Sequence, residues 1–361
     1  MSMNKNNYCV IMAGGIGSRF WPMSRTEQPK QFLDILGTGE TLIQQTYNRF
    51  KKICPEQNIY IVTNEIYKGL TKSQLVGITD EQIICEPTMR NTAPCIAYAN
   101  YKIANKNPEA NIIVAPSDHL ILKEDEFVRV MNLALDHTAK NDDLVTLGIT
   151  PTRPDTGYGY IQYIENNNSE IKTVKTFTEK PNLEKAQEFI ASGDFSWNSG
   201  MFIWSLKTIQ RSFETLLPKM DAIFKNGEDK YNTPAEYDFI QEAYPTCENI
   251  SIDYGIMEGS TNVHVISADI GWSDLGTWGS IYTHLPLDNN KNAVVGDNVM
   301  LYNAADNIVN VPKEKLVVLQ GLNDYIVVES DGILLVCQKS EEQKIKQFVT
   351  DIKATKDKKF Y

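Results

Sequence analysis

Three glycines, an arginine and a lysine near the amino terminus form the pattern in this chain best suited to phosphate chemistry: Gly14, Gly15 and Gly17, then Arg19, then Lys30. The run Tyr8-Cys9-Val10-Ile11-Met12 before them is apolar and β-prone, so the glycines fall where a first buried strand ends. Glycine lets the backbone turn tightly and bring bare N–H groups against an anion. Arg19 and Lys30 add positive charge suited to a polyphosphate. Two commoner phosphate motifs are excluded. A dinucleotide fingerprint needs glycine where Phe20 stands, and no Walker-type Gly-Lys-Ser/Thr is present. A ligand-free tight turn would explain the glycines alone; the added arginine and the Pro29-Lys30 pair favour phosphate.

Other groups fit a site at the edge of a sheet. Asp118 and Asp274 each follow an apolar run and end in a turn, so carboxylates distant in sequence can converge there. Mg2+ takes a few carboxylate oxygens together with phosphate oxygens and water, although an isolated aspartate more commonly caps a helix or turn. Neighbours in a strand point to opposite faces, so Glu179 and Lys180 can serve one site only at a strand end or bend, which Pro181 supplies. Gly159, Asn198 and Gly200 offer close backbone approach and an amide, suited to hydroxyls. The alternative for Tyr158-Gly159-Tyr160 is an aromatic edge strand. The four histidines lie far apart and no HExxH occurs, so His119 is expected to be a local hydrogen-bonding group rather than a zinc ligand.

The pattern GGxGxR…P…PK, with Pro22, Pro29 and Lys30, resembles the signature of the sugar-nucleotide pyrophosphorylases. Ser24-Arg25 and Pro29-Lys30-Gln31-Phe32-Leu33 are similar to its mannose-1-phosphate guanylyltransferase branch. So are Glu86-Pro87 with Arg90-Asn91-Thr92-Ala93-Pro94, Ala115-Pro116-Ser117-Asp118-His119 and Thr156-Gly157-Tyr158-Gly159-Tyr160-Ile161. Phe177-Thr178-Glu179-Lys180-Pro181, Trp197-Asn198-Ser199-Gly200-Met201-Phe202, Ser251-Ile252-Asp253-Tyr254 and Gly271-Trp272-Ser273-Asp274-Leu275-Gly276 continue the series in one order. Phe20-Trp21 and Met23 stand where the family often carries leucine, which leaves the charged positions intact.

The resemblance implies transfer of GMP from GTP to α-D-mannose 1-phosphate, giving GDP-mannose and pyrophosphate. It gives Arg19 the outer phosphates, Lys30 the neighbourhood of the α-phosphate, and Arg25 an assisting role. It makes Asp118 and Asp274 ligands of one Mg2+, with Mn2+ as a substitute. It assigns Glu179 to sugar hydroxyls and Lys180 to the sugar's phosphate. The base-reading region falls at Glu86, Asn91 and Thr92, which offer acceptors for the donors of guanine; Arg90 suits a surface salt bridge equally well. Asp253 matches a motif without an evident physical role. The same chemistry on another hexose 1-phosphate or nucleoside triphosphate, or a silent regulatory subunit binding the sugar nucleotide, are the alternatives. Intact Arg19, Lys30, Asp118, Lys180 and Asp274 count against silence.

A chain of 361 residues has room for a large α/β domain and a smaller module. The net charge of −11 argues against nucleic acid or anionic membrane as partners. Six scattered cysteines without CxxC spacing read as free buried thiols, and with no apolar run long enough for a bilayer or signal pattern a cytoplasmic protein is expected. Strands are expected at 8–13, 58–63, 82–86, 111–115, 144–149, 171–178, 200–204 and 263–268. Helices are expected at 41–52, 92–105, 126–139, 183–191 and 206–215. Such alternation predicts a Rossmann-like α/β domain, a mixed sheet with helices on both faces, over residues 1–285. Short β-prone pieces separated by Asp, Asn and Gly predict a small β module over 286–361, which the resemblance suggests is left-handed β-helix-like. A helix at 340–353 should close it, and residues 356–359 should form a frayed, solvated tail. The module is expected to pack on the catalytic domain and to offer a homodimer contact.

Overall fold

Short aliphatic and β-branched runs bounded by turn residues become the strands of a nine-stranded sheet. They are β1 (Asn7–Met12), β2 (Ile59–Asn64), β3 (Ile83–Glu86), β4 (Asn111–Pro116), β5 (Leu144–Ile149), β6 (Tyr160–Tyr163), β7 (Ile171–Thr178), β8 (Phe195–Ser205) and β9 (Val263–Ser267). This is a computed structural model, and it describes residues 3–166 and 169–361. In space the order is β3-β2-β1-β4-β8-β5-β9-β7-β6, and β6 also pairs back onto β8. β1 runs parallel to β2 and β4, whereas β8 is antiparallel to both β4 and β5, which makes the sheet mixed. Met12 lies opposite Pro116, so the loops after β1 and β4 leave the sheet at the same carboxyl edge. Cys9, Val10 and Ile11 have no exposed surface, as expected of a strand covered on both faces.

By density of internal contacts the chain divides into two compact units. The first runs up to Gly14 and then takes Thr46–Ser117 and Ile121–Trp272; it contains this sheet. The second takes Gly15–Gln45, Asp118–Leu120 and Ser273–Tyr361. These bounds do not follow a linear division at 285 and 286, because the glycine loop and Asp118 group with the carboxyl-terminal segment.

The second unit carries β10 (Ala293–Val295), β11 (Val299–Tyr302), β12 (Ile308–Asn310), β13 (Val317–Gln320), β14 (Tyr325–Ser330) and β15 (Ile333–Gln338). β10, β12 and β14 pair in parallel, as do β11 and β13, in the manner of rungs; β15 closes the stack antiparallel to β14. Buried asparagines tie the turns between rungs. Asn307 donates from Nδ2 to Asn292 Oδ1 (2.9 Å) and to the Leu322 carbonyl (2.7 Å), and its Oδ1 accepts from the Tyr325 N–H (2.9 Å). The helix Ile345–Thr355 sets Ile345 and Val349 into a cluster with Phe20, Trp21, Leu33, Leu275 and Trp278. The tail is not frayed as expected: it ends in a short turn, and the Trp21 indole N–H, which needs an acceptor when buried, donates to the Phe360 carbonyl at 2.7 Å.

All the expected strands and helices are present, with boundary shifts of a few residues. Pattern missed β6, the early start of β8 at Phe195, and the short helices Lys68–Gln74, Pro218–Lys225, Glu236–Ala243 and Trp278–Tyr282. Elements this short complete too few turns or alternations to show a period. Among the described residues no helix is long and apolar enough to cross a membrane.

The helix Thr92–Lys106, which carries the base-reading candidates at its start, is anchored by a buried ion pair. Lys102 Nζ donates to both oxygens of Glu236 (2.7 and 2.5 Å), and the Tyr98 hydroxyl donates to Glu236 Oε1 at 2.6 Å. Lys102→Met should therefore destabilise the protein by about 3 kcal/mol, because it leaves a buried carboxylate uncompensated. A second change, Glu236→Leu, should recover most of that loss. Urea unfolding midpoints of the three variants check this.

Candidate active site

The glycine loop in the second unit is shaped around Lys30. Gly15 and Gly17 have φ of 82° and 71°, values that glycine adopts without strain. A Cβ on Gly17 would fall 2.5 Å from the Lys30 Cβ, so the missing side chain is the space that the lysine stem occupies. The Lys30 N–H donates to the Ile16 carbonyl at 3.1 Å, which closes the loop. Lys30 is only 3% exposed, and its ammonium has polar partners. It donates to Asp118 Oδ2 at 3.0 Å and to the Asp274 carbonyl at 2.7 Å, and it stands 5.4 Å from the centre of the Phe20 ring.

The carboxylate of Asp118 and the main-chain carbonyl of Asp274 are thus drawn to one cation. Burial works to raise the Asp118 carboxyl, but the charges of Lys30 and His119 and the hydrogen bond from Lys30 outweigh it and hold the group below its usual range. Its side chain remains 32% exposed. His119 Nε2 lies 4.0 Å from Asp118 Oδ1, in keeping with a local role. Asp274 Oδ1 accepts from the Gly276 N–H at 3.0 Å, and a Cβ on Gly276 would fall 2.5 Å from Oδ2. Leu275 between them has φ 44°, a left-handed value unusual for leucine, and it is held there by complete burial. Of the two aspartates, Asp118 turns its carboxylate to the ammonium, whereas Asp274 offers its carbonyl there and keeps its carboxylate on the Gly276 N–H.

The two arginines have partners of their own within this unit. Arg19 Nε donates to Gln343 Oε1 at 2.9 Å, and Arg25 forms an ion pair with Asp331 and reaches the Lys359 carbonyl at 3.4 Å. The bond from Arg19 is neutral on the acceptor side and exposed, so charge-assisted bonds to phosphate would displace it readily.

In the first unit the structure assembles the sugar-directed candidates. β7 ends at Thr178, and Lys180 takes φ 46°, the bend that lets adjacent residues act together. Lys180 Nζ donates to Glu179 Oε1 at 2.5 Å; the Glu179 side chain is 10% exposed and that of Lys180 is 61% exposed. Gly159 accommodates Glu179 closely, since a Cβ there would overlap Oε2. The Asn198 N–H donates to the Gly159 carbonyl at 2.8 Å, and Asn198 Oδ1 accepts from the Gly200 N–H at 3.1 Å, where φ is 72°.

Asp253, for which sequence offered no role, is the member that completes this cluster. It accepts from Asn198 Nδ2 at 2.8 Å. Burial and the nearby charge of Glu179 push its carboxyl up to about 6, against a smaller opposing effect of the Asn198 bond. Partial burial works to lower Lys180, but Glu179 and Asp253 outweigh it and hold the ammonium above its ordinary value. Nothing in the spacing of these residues signals the meeting; it follows from the pairing of β8 with β6 and from the helical turn Asp253–Met257.

The base-reading candidates separate by role. Glu86 is buried, and it accepts a short hydrogen bond from the Tyr244 hydroxyl. Asn91 has φ 67° and caps the helix through the Thr92 N–H (3.0 Å), while Thr92 Oγ1 accepts from the Ile252 N–H (2.9 Å). Arg90 is not a surface ion pair: its Nη2 donates to the Pro245 carbonyl at 2.6 Å.

The first unit holds a mixed α/β sheet and the second a buried lysine between two aspartates, features that suit a phosphate-handling transferase. Residues 8–291 match the nucleotidyl transferase family, and the chain belongs to it. It is 37% identical to the mannose-1-phosphate guanylyltransferase of Salmonella montevideo, over 95% of this chain and 73% of that protein. It is 35% identical to the enzyme of the same name from Escherichia coli K12, over 96% and 73%. A solved structure from Thermus thermophilus, described as a mannose-1-phosphate geranyltransferase, superposes with a TM-score of 0.87 at 26% identity, over 96% of this chain and 99% of that one. A divalent metal ion belongs to the chemistry of this family.

Burial, opposed in part by the Tyr244 bond, raises the Glu86 carboxyl from its ordinary 4.5 to about 7. The folded protein therefore holds a proton there that the unfolded chain releases, and stability from this group falls as pH rises from about 4.5 to 7. Glu86→Gln removes the buried charge and should gain on the parent protein by about 2 kcal/mol between pH 5 and pH 8. Urea midpoints at the two pH values test this.

Proposed function

We propose that this chain transfers GMP from GTP to α-D-mannose 1-phosphate, releasing pyrophosphate and leaving GDP-mannose. The observation that carries the proposal is the Lys30 ammonium, buried under the glycine loop and shared by Asp118 and Asp274, in a chain of this family. An oxygen of the sugar's phosphate forms a bond to the α-phosphorus of GTP, in line with the bond to pyrophosphate that breaks. No covalent enzyme intermediate is required, so the protein contributes position and charge.

In this proposal the N–H groups at Gly14, Gly15 and Gly17 cradle the triphosphate. Lys30 neutralises charge near the α-phosphate, and Arg19 takes the outer phosphates that leave. Arg25 assists by holding the loop through Asp331. Asp118 and Asp274 are the residues that would hold the divalent ion, Mg2+ or in its place Mn2+. Such an ion, when bound, offsets charge on phosphate oxygens. Glu179, Asp253, Asn198, Gly159 and Gly200 receive the hexose hydroxyls, and Lys180 the sugar's phosphate. Glu86, Asn91 and Thr92 are placed at the guanine end, with Glu86 bonded to Tyr244. The six free cysteines suit a reducing cytoplasm, and a homodimer through residues 286–361 belongs to the same proposal.

Pyrophosphate release measured with the four nucleoside triphosphates against several hexose 1-phosphates tests the assignment directly. GTP with mannose 1-phosphate should give the highest kcat/KM; preference for another pair would replace the substrates, and no release with any pair would favour a silent subunit. Arg19→Ala should lower kcat by roughly 10²–10³ while leaving the fold intact, since it removes charge stabilisation of the leaving group rather than packing. Chelation should abolish turnover and Mg2+ or Mn2+ restore it. Asp118→Asn and Asp274→Asn should each collapse kcat, and the double variant should be little worse than the worse single one, because both act on one ion. Additive losses in kcat would separate the two aspartates.

A further inference from the structure

Of the four histidines scattered along the chain, the fold brings two to one place. His137 stands in the last turn of the helix Glu124–Thr138, Asp143 in the turn that follows, and His264 on β9. β9 lies parallel to β5 with His264 opposite Val145, so strand pairing carries this histidine alongside the residues that lead into β5. His137 Nε2 is 2.7 Å from Asp143 Oδ2, and His264 Nδ1 is 3.7 Å from the same oxygen. The two imidazole centres are 5.6 Å apart. His264 Nδ1 is buried and has no hydrogen-bond partner, whereas its Nε2 lies 3.4 Å from the Thr173 hydroxyl.

A plain hydrogen bond accounts for His137 and Asp143. It does not account for a second imidazole that turns a buried, unbonded nitrogen toward the same carboxylate, a costly arrangement without a ligand. We propose that His137, Asp143 and His264 bind one transition-metal ion of the zinc type, at a site separate from the phosphate and hexose clusters. Two imidazoles and a carboxylate, with water in the remaining position, are a donor set that zinc takes. The three ligand atoms lie within 4.8 Å of one another. A tetrahedral ion at about 2.0–2.1 Å from each requires them about 3.3 Å apart, which small rotations of the side chains supply. Binding through Nδ1 of His264 leaves its Nε2–H to the Thr173 hydroxyl. Asn141 Nδ2 lies 3.3 Å from Nδ1 of His137 and donates to the His137 carbonyl at 2.9 Å, which ties this turn to the helix end. The ion would tie the end of the helix to β9 and stabilise the first unit.

The test is titration of the full chain with Zn2+ in excess Mg2+, followed by binding heat and thermal unfolding, with Co2+ absorption as a probe of geometry. One Zn2+ per chain should bind, the four-coordinate Co2+ spectrum should appear, and at about 100-fold excess over Kd the Tm should rise by roughly 5 °C. His264→Asn and His137→Gln should each lose this ion and its Tm rise, yet keep guanylyl transfer with Mg2+; Asp143→Asn, which preserves shape, is the third variant. Asp118→Asn should retain the ion. Zinc uptake undiminished in all three cluster variants, loss of the same ion in Asp118→Asn, or no saturable uptake by the parent protein would overturn the site.

Discussion

A buried ammonium needs partners, and the second unit is arranged around supplying them to Lys30. Withdrawing that charge from water would cost several kcal/mol if it were left unpaired. The carboxylate of Asp118, 88 positions away, and the carbonyl of Asp274, 244 positions away, both meet it. Gly17 makes room for the stem, and Phe20 presents a ring near the charge. Three segments separated in sequence are thereby fixed to one atom, and each is held in place by the other two. The strained backbone at Leu275 belongs to the same arrangement, because burial of its side chain over-determines the turn that presents Asp274.

The cluster proposed to receive the hexose has the opposite balance. Glu179 and Asp253 are two acids near one exposed base, and burial, followed by the nearby charge of Glu179, raises the Asp253 carboxyl. Hydroxyl donors would relieve that tension by hydrogen-bonding to the charged carboxylates, and a phosphate would draw Lys180 away from Glu179. Such a cluster gains more from a polyhydroxylated phosphate ester than from a plain anion.

The carboxyl-terminal module has a structural part in the loop that carries the phosphate candidates. Gln343 receives Arg19, Asp331 receives Arg25, and the Phe360 carbonyl receives Trp21. The rungs of the module are tied to one another by side-chain as well as ladder hydrogen bonds. Asparagines 292 and 307 are buried with their amides satisfied by neighbouring turns, so parallel strands as short as three residues stack without a large core of their own.

The sequence alone determined the α/β alternation, the glycine loop, the family and the charged residues worth testing, because those depend on local period and on motifs carried within a few positions. The strand ends that present Gly14 and Ser117 were legible for the same reason. Tertiary structure decided everything that depends on residues far apart. It gave Lys30 its two partners and put Asp253 beside Glu179. It turned Glu86 inward onto Tyr244 and anchored a tail expected to fray. It brought His137 to His264 although nothing in their spacing relates them. The physical reason is common to all of these. Strand pairing and burial choose neighbours by register and by the need to satisfy charge, and neither is written in the linear distance between residues.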